Sequence, residues 1–227
     1  MLIFADIRIP TDALKTLEKF GEVVKFETKG ITYDAISGHP DVFLCQTPNN
    51  LIVAPNIPKK YVNILNKINI QFTFGNYSVG EKYPESAHYN ALVTENYILH
   101  NADYTDKKIL ELCVNKVFIN VNQAYTRCNT IYVGDCYITS DRPIYNVLRK
   151  TEAPVTYVNP ESVLLSGFKN GFFGGCCGVY ENKLFVCGSL NNIANDQKDK
   201  ILGLTNIEII ELYSGQLYDA GGILFLE

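Results

Sequence analysis

The sequence predicts an α/β protein of five ββαβ repeats closed into a ring, with the two ends of the chain completing one unit between them. Two observations predict it. A short apolar strand leading into a turn and a helix recurs five times, as LIFAD from Leu2, LIVAP from Leu51, YILHN from Tyr97, YITSD from Tyr137 and LFVCG from Leu184, and such a period marks a repeat architecture. The spacing stays between 40 and 49 residues, and counting from Leu184 through the C-terminus round to Leu2 makes 45. The repeat therefore fits its last unit only if the chain ends meet.

A helix follows each of these central strands. Pro10, Thr11 and Asp12 open DALKTLEKF, which Gly21 stops. Asn56 and Pro58 open PKKYVNILNKI, with proline in the first turn, where its missing N–H is not needed. Thr105 or Asp106 opens TDKKILELC, and Ser140 or Asp141 opens DRPIYNVLRK, where Asp141 reads as a cap. The fifth helix lies within NDQKDKILG. All are short and amphipathic, as befits helices laid on a sheet. A third strand comes after each helix: EVVKFET, NIQFTFG, VFINVNQAY, APVTYVN and IEIIELY, all rich in β-branched and aromatic residues.

Before each central strand stands a partner joined by a tight turn: DVFLCQ, NALVTE, TIYVGD, GVYENK and, at the C-terminus, GGILFLE. The hairpin partner of the last is MLIF at the N-terminus. Closure of this kind removes an open sheet edge. No linker or low-complexity stretch divides the chain, so residues 1–227 are expected to form one domain, with 75–86 as its longest surface loop.

Composition narrows the function. The 227 residues are 47% hydrophobic and 19% charged, which excludes disorder as the main state. The net charge of −4 lacks the basic surplus of a nucleic-acid surface. No apolar run approaches the roughly 20 residues of a membrane span, and Asp6 and Arg8 interrupt the N-terminal apolar stretch too early for a signal peptide. Seven cysteines, an odd number, suggest reduced thiols and a cytoplasmic location.

Five ββαβ units in a ring resemble the pentein superfamily, the five-bladed α/β-propeller of the guanidino-group-modifying enzymes. The segments NQAYTRCN (122–129), YITSDRPI (137–144), GFFGGCCG (171–178) and LYDAGGILFLE (217–227) look like an uncharacterised branch of it. The resemblance implies amidinotransferase- or hydrolase-like chemistry on guanidino C–N bonds, with a site at one mouth of a central channel. The position just before and within each unit's first strand would line it. These positions hold His39, Asp41, Cys45 and Gln46; His88, Tyr89 and Asn90; Arg127, Cys128, Asn129 and Thr130; the run 174–178 with Cys176 and Cys177; and Asp219, Gly221 and Gly222.

Such chemistry needs a cysteine thiolate to attack the amidino carbon, a histidine to move protons and carboxylates to hold the guanidinium fork. This sequence departs from the family order. Gln46 and Thr47 stand where its first acid is expected, AHYNALV carries no Glu, TRCNTIYV has Arg127 and Asn129 in place of His-x-Asp, and the C-terminal strand has no cysteine. The remaining candidates are Cys177 and Cys176, bared by neighbouring glycines, with His88. Asp41, Gln46, Asn90, Arg127, Asn129 and Asp219 are the candidate binders of a small guanidino or amino compound. The alternative is a non-catalytic ligand-binding or protein-interaction module. His100 ends a central strand and reads as a structural histidine. The adjacent Cys176-Cys177 pair lacks metal-ligand spacing, so neither a metal nor another cofactor is expected.

Overall fold

The computed structural model describes residues 1–227. In chain order the elements are β1 (Leu2–Asp6), α1 (Thr11–Leu17), β2 (Glu22–Phe26), β3 (Leu44–Gln46), β4 (Leu51–Val53), α2 (Lys59–Lys67), β5 (Phe72–Phe74), β6 (Leu92–Val93), β7 (Tyr97–His100), α3 (Lys107–Leu112) and β8 (Val117–Asn120). They continue with α4 (Thr126–Asn129), β9 (Thr130–Val133), β10 (Cys136–Thr139), α5 (Arg142–Leu148), β11 (Val155–Tyr157), β12 (Val163–Leu164), β13 (Cys177–Tyr180), β14 (Lys183–Val186), α6 (Asn195–Leu202), β15 (Glu208–Glu211), β16 (Leu217–Tyr218) and β17 (Leu224–Leu226).

The expectation of a five-bladed closed ring is corrected. The chain is a mixed α/β protein of six separate small sheets, and no ladder closes them into a barrel or propeller. Five sheets have three strands, in the orders β17-β1-β2, β3-β4-β5, β6-β7-β8, β9-β10-β11 and β13-β14-β15. The sixth, β12 parallel to β16, belongs to no repeat. The ladders stop at three strands for a physical reason. The strands are only two to five residues long, and each third strand turns half-exposed residues outward, as in Glu22–Phe26 and Val117–Asn120.

Within each three-stranded sheet the central strand runs antiparallel to its hairpin partner and parallel to the strand beyond the helix. A helical crossover is what a parallel neighbour requires. The chain ends meet: Leu2 faces Leu226, Ile3 faces Phe225 and Phe4 faces Leu224 across β1 and β17. The central strands β1, β4 and β10 are buried along their whole length, and the helices cover them with one apolar stripe each. In α5 that stripe is Ile144 and Leu148, one turn apart. Asp141 caps α5 by accepting from the Ile144 N–H at 2.7 Å, and Asp106 caps α3 by accepting from Lys108 at 2.8 Å. Residues 75–86 hold neither helix nor strand. No helix is long and apolar enough to cross a membrane.

His100, at the end of β7, is fully buried with both ring nitrogens engaged. Nε2 meets the Ala124 carbonyl and Nδ1 meets the Thr105 hydroxyl, each at 2.7 Å. The carbonyl can only accept, so Nε2 carries a proton, while the Thr105 hydroxyl stands between Nδ1 and the Asn101 carbonyl, 2.7 Å from each. Burial lowers its pKa from 6.5 to about 4. Between those values the unfolded chain takes up a proton that the folded chain refuses. Stability supplied by neutral His100 is therefore complete above pH 6.5 and drains away as pH falls towards 4. The loss is on the order of 3 kcal/mol. Urea unfolding at pH 7 and pH 4.5 should show that decline in the wild type and a shallower one in His100→Gln; equal declines would show that His100 titrates normally.

Candidate functional site

The turns that lead into the first strands of the five three-stranded sheets converge on one buried point. His39 and Asp41 lie on the 3-10 turn before β3, Asn90 just before β6, Arg127 and Cys128 on α4 before β9, Gly174 and Gly175 on the turn before β13, and Asp219 ahead of β17. Backbone bonds fasten these turns together. Asp41 N–H donates to Gly221, Arg127 N–H to Asn90, and both Ala220 and Gly222 to Gly175. The Arg127 guanidinium donates to the Gly174 and Cys177 carbonyls at 2.9 and 3.0 Å. No side chain fits at Gly175, where a Cβ would come within 2.0 Å of the Asp219 carboxylate.

A cavity of about 160 Å³ opens above this point. Its walls are mainly apolar and aromatic, with Tyr33, Tyr125, Phe168 and Phe172 among them, and His39, Cys128 and Asp219 bring the chemistry. Phe168 is exposed at the rim and its ring lies 5.9 Å from that of Tyr33.

Three buried side chains stand out here: His39 and Cys128, which line the cavity, and Asp41, bonded to Cys128. Cys128 donates its thiol hydrogen to Asp41 Oδ2 at 2.9 Å and accepts from the Asn90 amide at 3.2 Å. Asp41 is fully buried, and its second oxygen has no partner. Burial pushes its carboxyl up to about 6, against the pull of the Arg127 charge and the Cys128 and Asn90 hydrogen bonds. His39 is 1% exposed and neither ring nitrogen has a partner. Nε2 is 3.8 Å from Asp6 and Nδ1 is 3.9 Å from Asp219, too far for hydrogen bonds. Burial lowers its pKa from 6.5, against the upward pull of the Asp219 and Asp6 carboxylates. Burial, with the nearby Asp41 and Asp219 carboxylates, pushes the Cys128 thiol well up. The two outer carboxylates are firmly held. Asp219 accepts from the Phe172 and Gly221 N–H groups, and Asp6 is gripped by the Arg8 guanidinium.

Of the residues singled out in the sequence, Asp41, Asn90 and Asp219 come together here. Gln46 and Arg127 line a separate cavity of about 430 Å³, and Gln46 donates to the Phe225 carbonyl at 2.7 Å. Asn129 is buried and donates to the Tyr125 carbonyl, fastening α4. The expected trio of Cys177, Cys176 and His88 is not assembled. Both cysteines are fully buried in an apolar cluster with Leu184 and Val186, and burial raises the Cys177 thiol to about 12. His88 is bonded through Nδ1 to the Tyr104 carbonyl at 2.8 Å and does not line the cavity. In their place stand Cys128 and His39. Both occupy lead-in positions visible in the sequence, but only their convergence separates them from the other cysteines and histidines.

No match was found among curated proteins. A family profile does match, over residues 4–224, and the chain belongs to that family, DUF6873, a family of unknown function.

Proposed function

We propose that the cavity binds a small amino or guanidino cation and that Cys128 is the nucleophile acting on it, in hydrolase- or amidinotransferase-like chemistry at a guanidino C–N bond. One observation carries this reading: a buried thiol and an unpartnered buried imidazole line an aromatic-walled cavity, and beside them, bonded to the thiol, stands a buried carboxylate with a free oxygen. Aromatic faces and carboxylates favour a cation over an anion or a neutral guest. Of the nearby arginines, Arg8 is paired with Asp6, while Arg127 keeps its charge on two backbone carbonyls and does not line the cavity. All seven cysteines are free, which fits a reducing compartment, and we place the protein in the cytoplasm.

The chemistry follows from the proton positions. The Cys128 proton moves along its hydrogen bond to Asp41, whose raised carboxyl accepts it. A bound cation favours this step by offsetting the negative charge of the resulting thiolate. Sulfur then bonds to the amidino carbon. The leaving nitrogen takes a proton from Asp41 and departs as an amine, leaving a cationic amidino thioether on Cys128. His39 takes a proton from water, which adds to the same carbon; the C–S bond breaks, the sulfur takes the proton of the added hydroxyl to restore the thiol, and His39 releases its proton to solvent. The net change is hydrolysis of one C–N bond; a second amine in place of water would make it a transfer.

A haloacetamidine, which carries the amidinium charge and alkylates a poised thiol, tests the reading in metal-free protein. Rapid labelling confined to Cys128, faster than with iodoacetamide and slowed by a guanidino compound, is the expected result. Labelling scattered over the other cysteines would overturn it. The high thiol pKa favours a second reading, a binding protein without turnover; slow labelling at Cys128 together with saturable cation binding would select it.

A further inference from the structure

We propose that His39, Asp41 and Cys128 also form a Zn²⁺ site, with its fourth coordination position facing the cavity. This inference does not depend on the cation chemistry above, because it concerns what the same three donors hold when no cation is bound. The ligand atoms, an imidazole nitrogen, a carboxylate oxygen and a thiol sulfur, all lie within 4.8 Å of one another. Zinc bonds run about 2.0–2.2 Å to nitrogen and oxygen and about 2.3 Å to sulfur. Donors sharing one tetrahedral ion therefore stand about 3–4 Å apart, within reach of small side-chain rotations.

The second observation is the unpartnered state of the donors. Both His39 nitrogens and Asp41 Oδ1 are buried without a hydrogen-bond partner. Buried polar groups are otherwise satisfied, and His100 in this same chain has both nitrogens bonded. A ligated ion would satisfy His39 and Asp41 together. The surroundings of His39 suit a metal ligand as well. Whichever ring nitrogen takes the ion, the other faces a carboxylate, Asp6 on the Nε2 side or Asp219 on the Nδ1 side. That is how ligating histidines are commonly oriented. Thiolate plus carboxylate balance the charge of a divalent ion, with the thiol proton released to solvent on binding. Sulfur and imidazole donors select zinc over magnesium or calcium. Three protein ligands with an open fourth position are the pattern of a site that can exchange a water or a small molecule.

The test is a titration of the reduced, chelator-treated full chain with Co²⁺, followed by Zn²⁺. One equivalent of cobalt should bind with a near-ultraviolet thiolate charge-transfer band and the visible bands of a four-coordinate ion, and zinc should displace it. Cys128→Ser should lose the charge-transfer band, while Cys177→Ser should keep it. Asp219→Asn or Asp6→Asn, on whichever side the free nitrogen lies, should weaken binding by about 10- to 100-fold. Failure to bind one equivalent, or a charge-transfer band surviving in Cys128→Ser, would overturn the proposal. Should Cys128→Ser not fold, peptide-mapped alkylation of the wild type decides: zinc must shield Cys128, and an unshielded Cys128 overturns the site. Amidine labelling in metal-free protein stays a separate readout, so failure of one proposal is not failure of the other.

Discussion

Gly221→Ala should destabilise the protein by about 2–5 kcal/mol. Two effects add. Gly221 has φ +65°, the left-handed region, where a side chain costs about 1–2 kcal/mol. An added Cβ would also stand 2.2 Å from the His39 Cβ and 2.5 Å from its Cα. Backbone cannot swing aside as a lysine tip can, and overpacking of this kind typically costs about 1–3 kcal/mol. Gly30 separates the terms, since its φ is +67° but nothing lies within 4 Å of its Cβ position. Gly30→Ala should therefore cost only the conformational part. Urea midpoints of the two variants should differ clearly, with Gly221→Ala much the weaker. Equal midpoints would mean that the His39 turn yields freely, and that the site is not held by packing against residues 219–222. The substitution should also slow amidine labelling at Cys128, because it displaces His39 from the cavity floor.

The local units were legible because their signals are local. β1, β4, β7, β10 and β14 fall on the five apolar runs, which are bounded by turn formers and rich in residues that pack on a pleated surface. Asp106 and Asp141 cap helices by a chemistry that needs only the next few residues. How the units associate was not legible. Period and closure across the termini suggest a ring, but whether one ladder continues into the next depends on edges contributed by residues far apart in sequence. The β12–β16 pair left no mark in the repeat pattern, being only two residues on each side.

The site shows the same division. Its lead-in positions could be read by aligning the units, which is how Asp41, Asn90 and Asp219 were found. The nucleophile could not be chosen that way. The glycines around Cys176 and Cys177 suggest a bared thiol, yet they serve the fold. A Cβ on Gly174 would strike the Arg127 and Cys128 carbonyls, and one on Gly175 the Asp219 carboxylate. Cys128 occupies one lead-in position among several, and only the approach of Asp41, 87 positions away in sequence, sets it apart.

Removing residues 221–227 should unfold the whole chain rather than fray one end. The segment carries Ile223, Leu224, Phe225 and Leu226, each at most 5% exposed. Returning four such side chains to water costs on the order of 6–12 kcal/mol, as much as the entire stability of an ordinary domain, about 5–15 kcal/mol. The loss would not stay local. β17 pairs with β1, the Ile223 and Gly222 N–H groups donate to Cys177 and Gly175, and Gln46 donates to the Phe225 carbonyl. Three regions distant in sequence would thus lose partners together, and the open edge of β1 would invite aggregation. The expected result for the truncated chain is loss of a cooperative melting transition and of native circular dichroism. A melting temperature equal to that of the full chain would show that β1 needs no partner on that side, and that the site's support lies wholly in the turns before β3, β9 and β13.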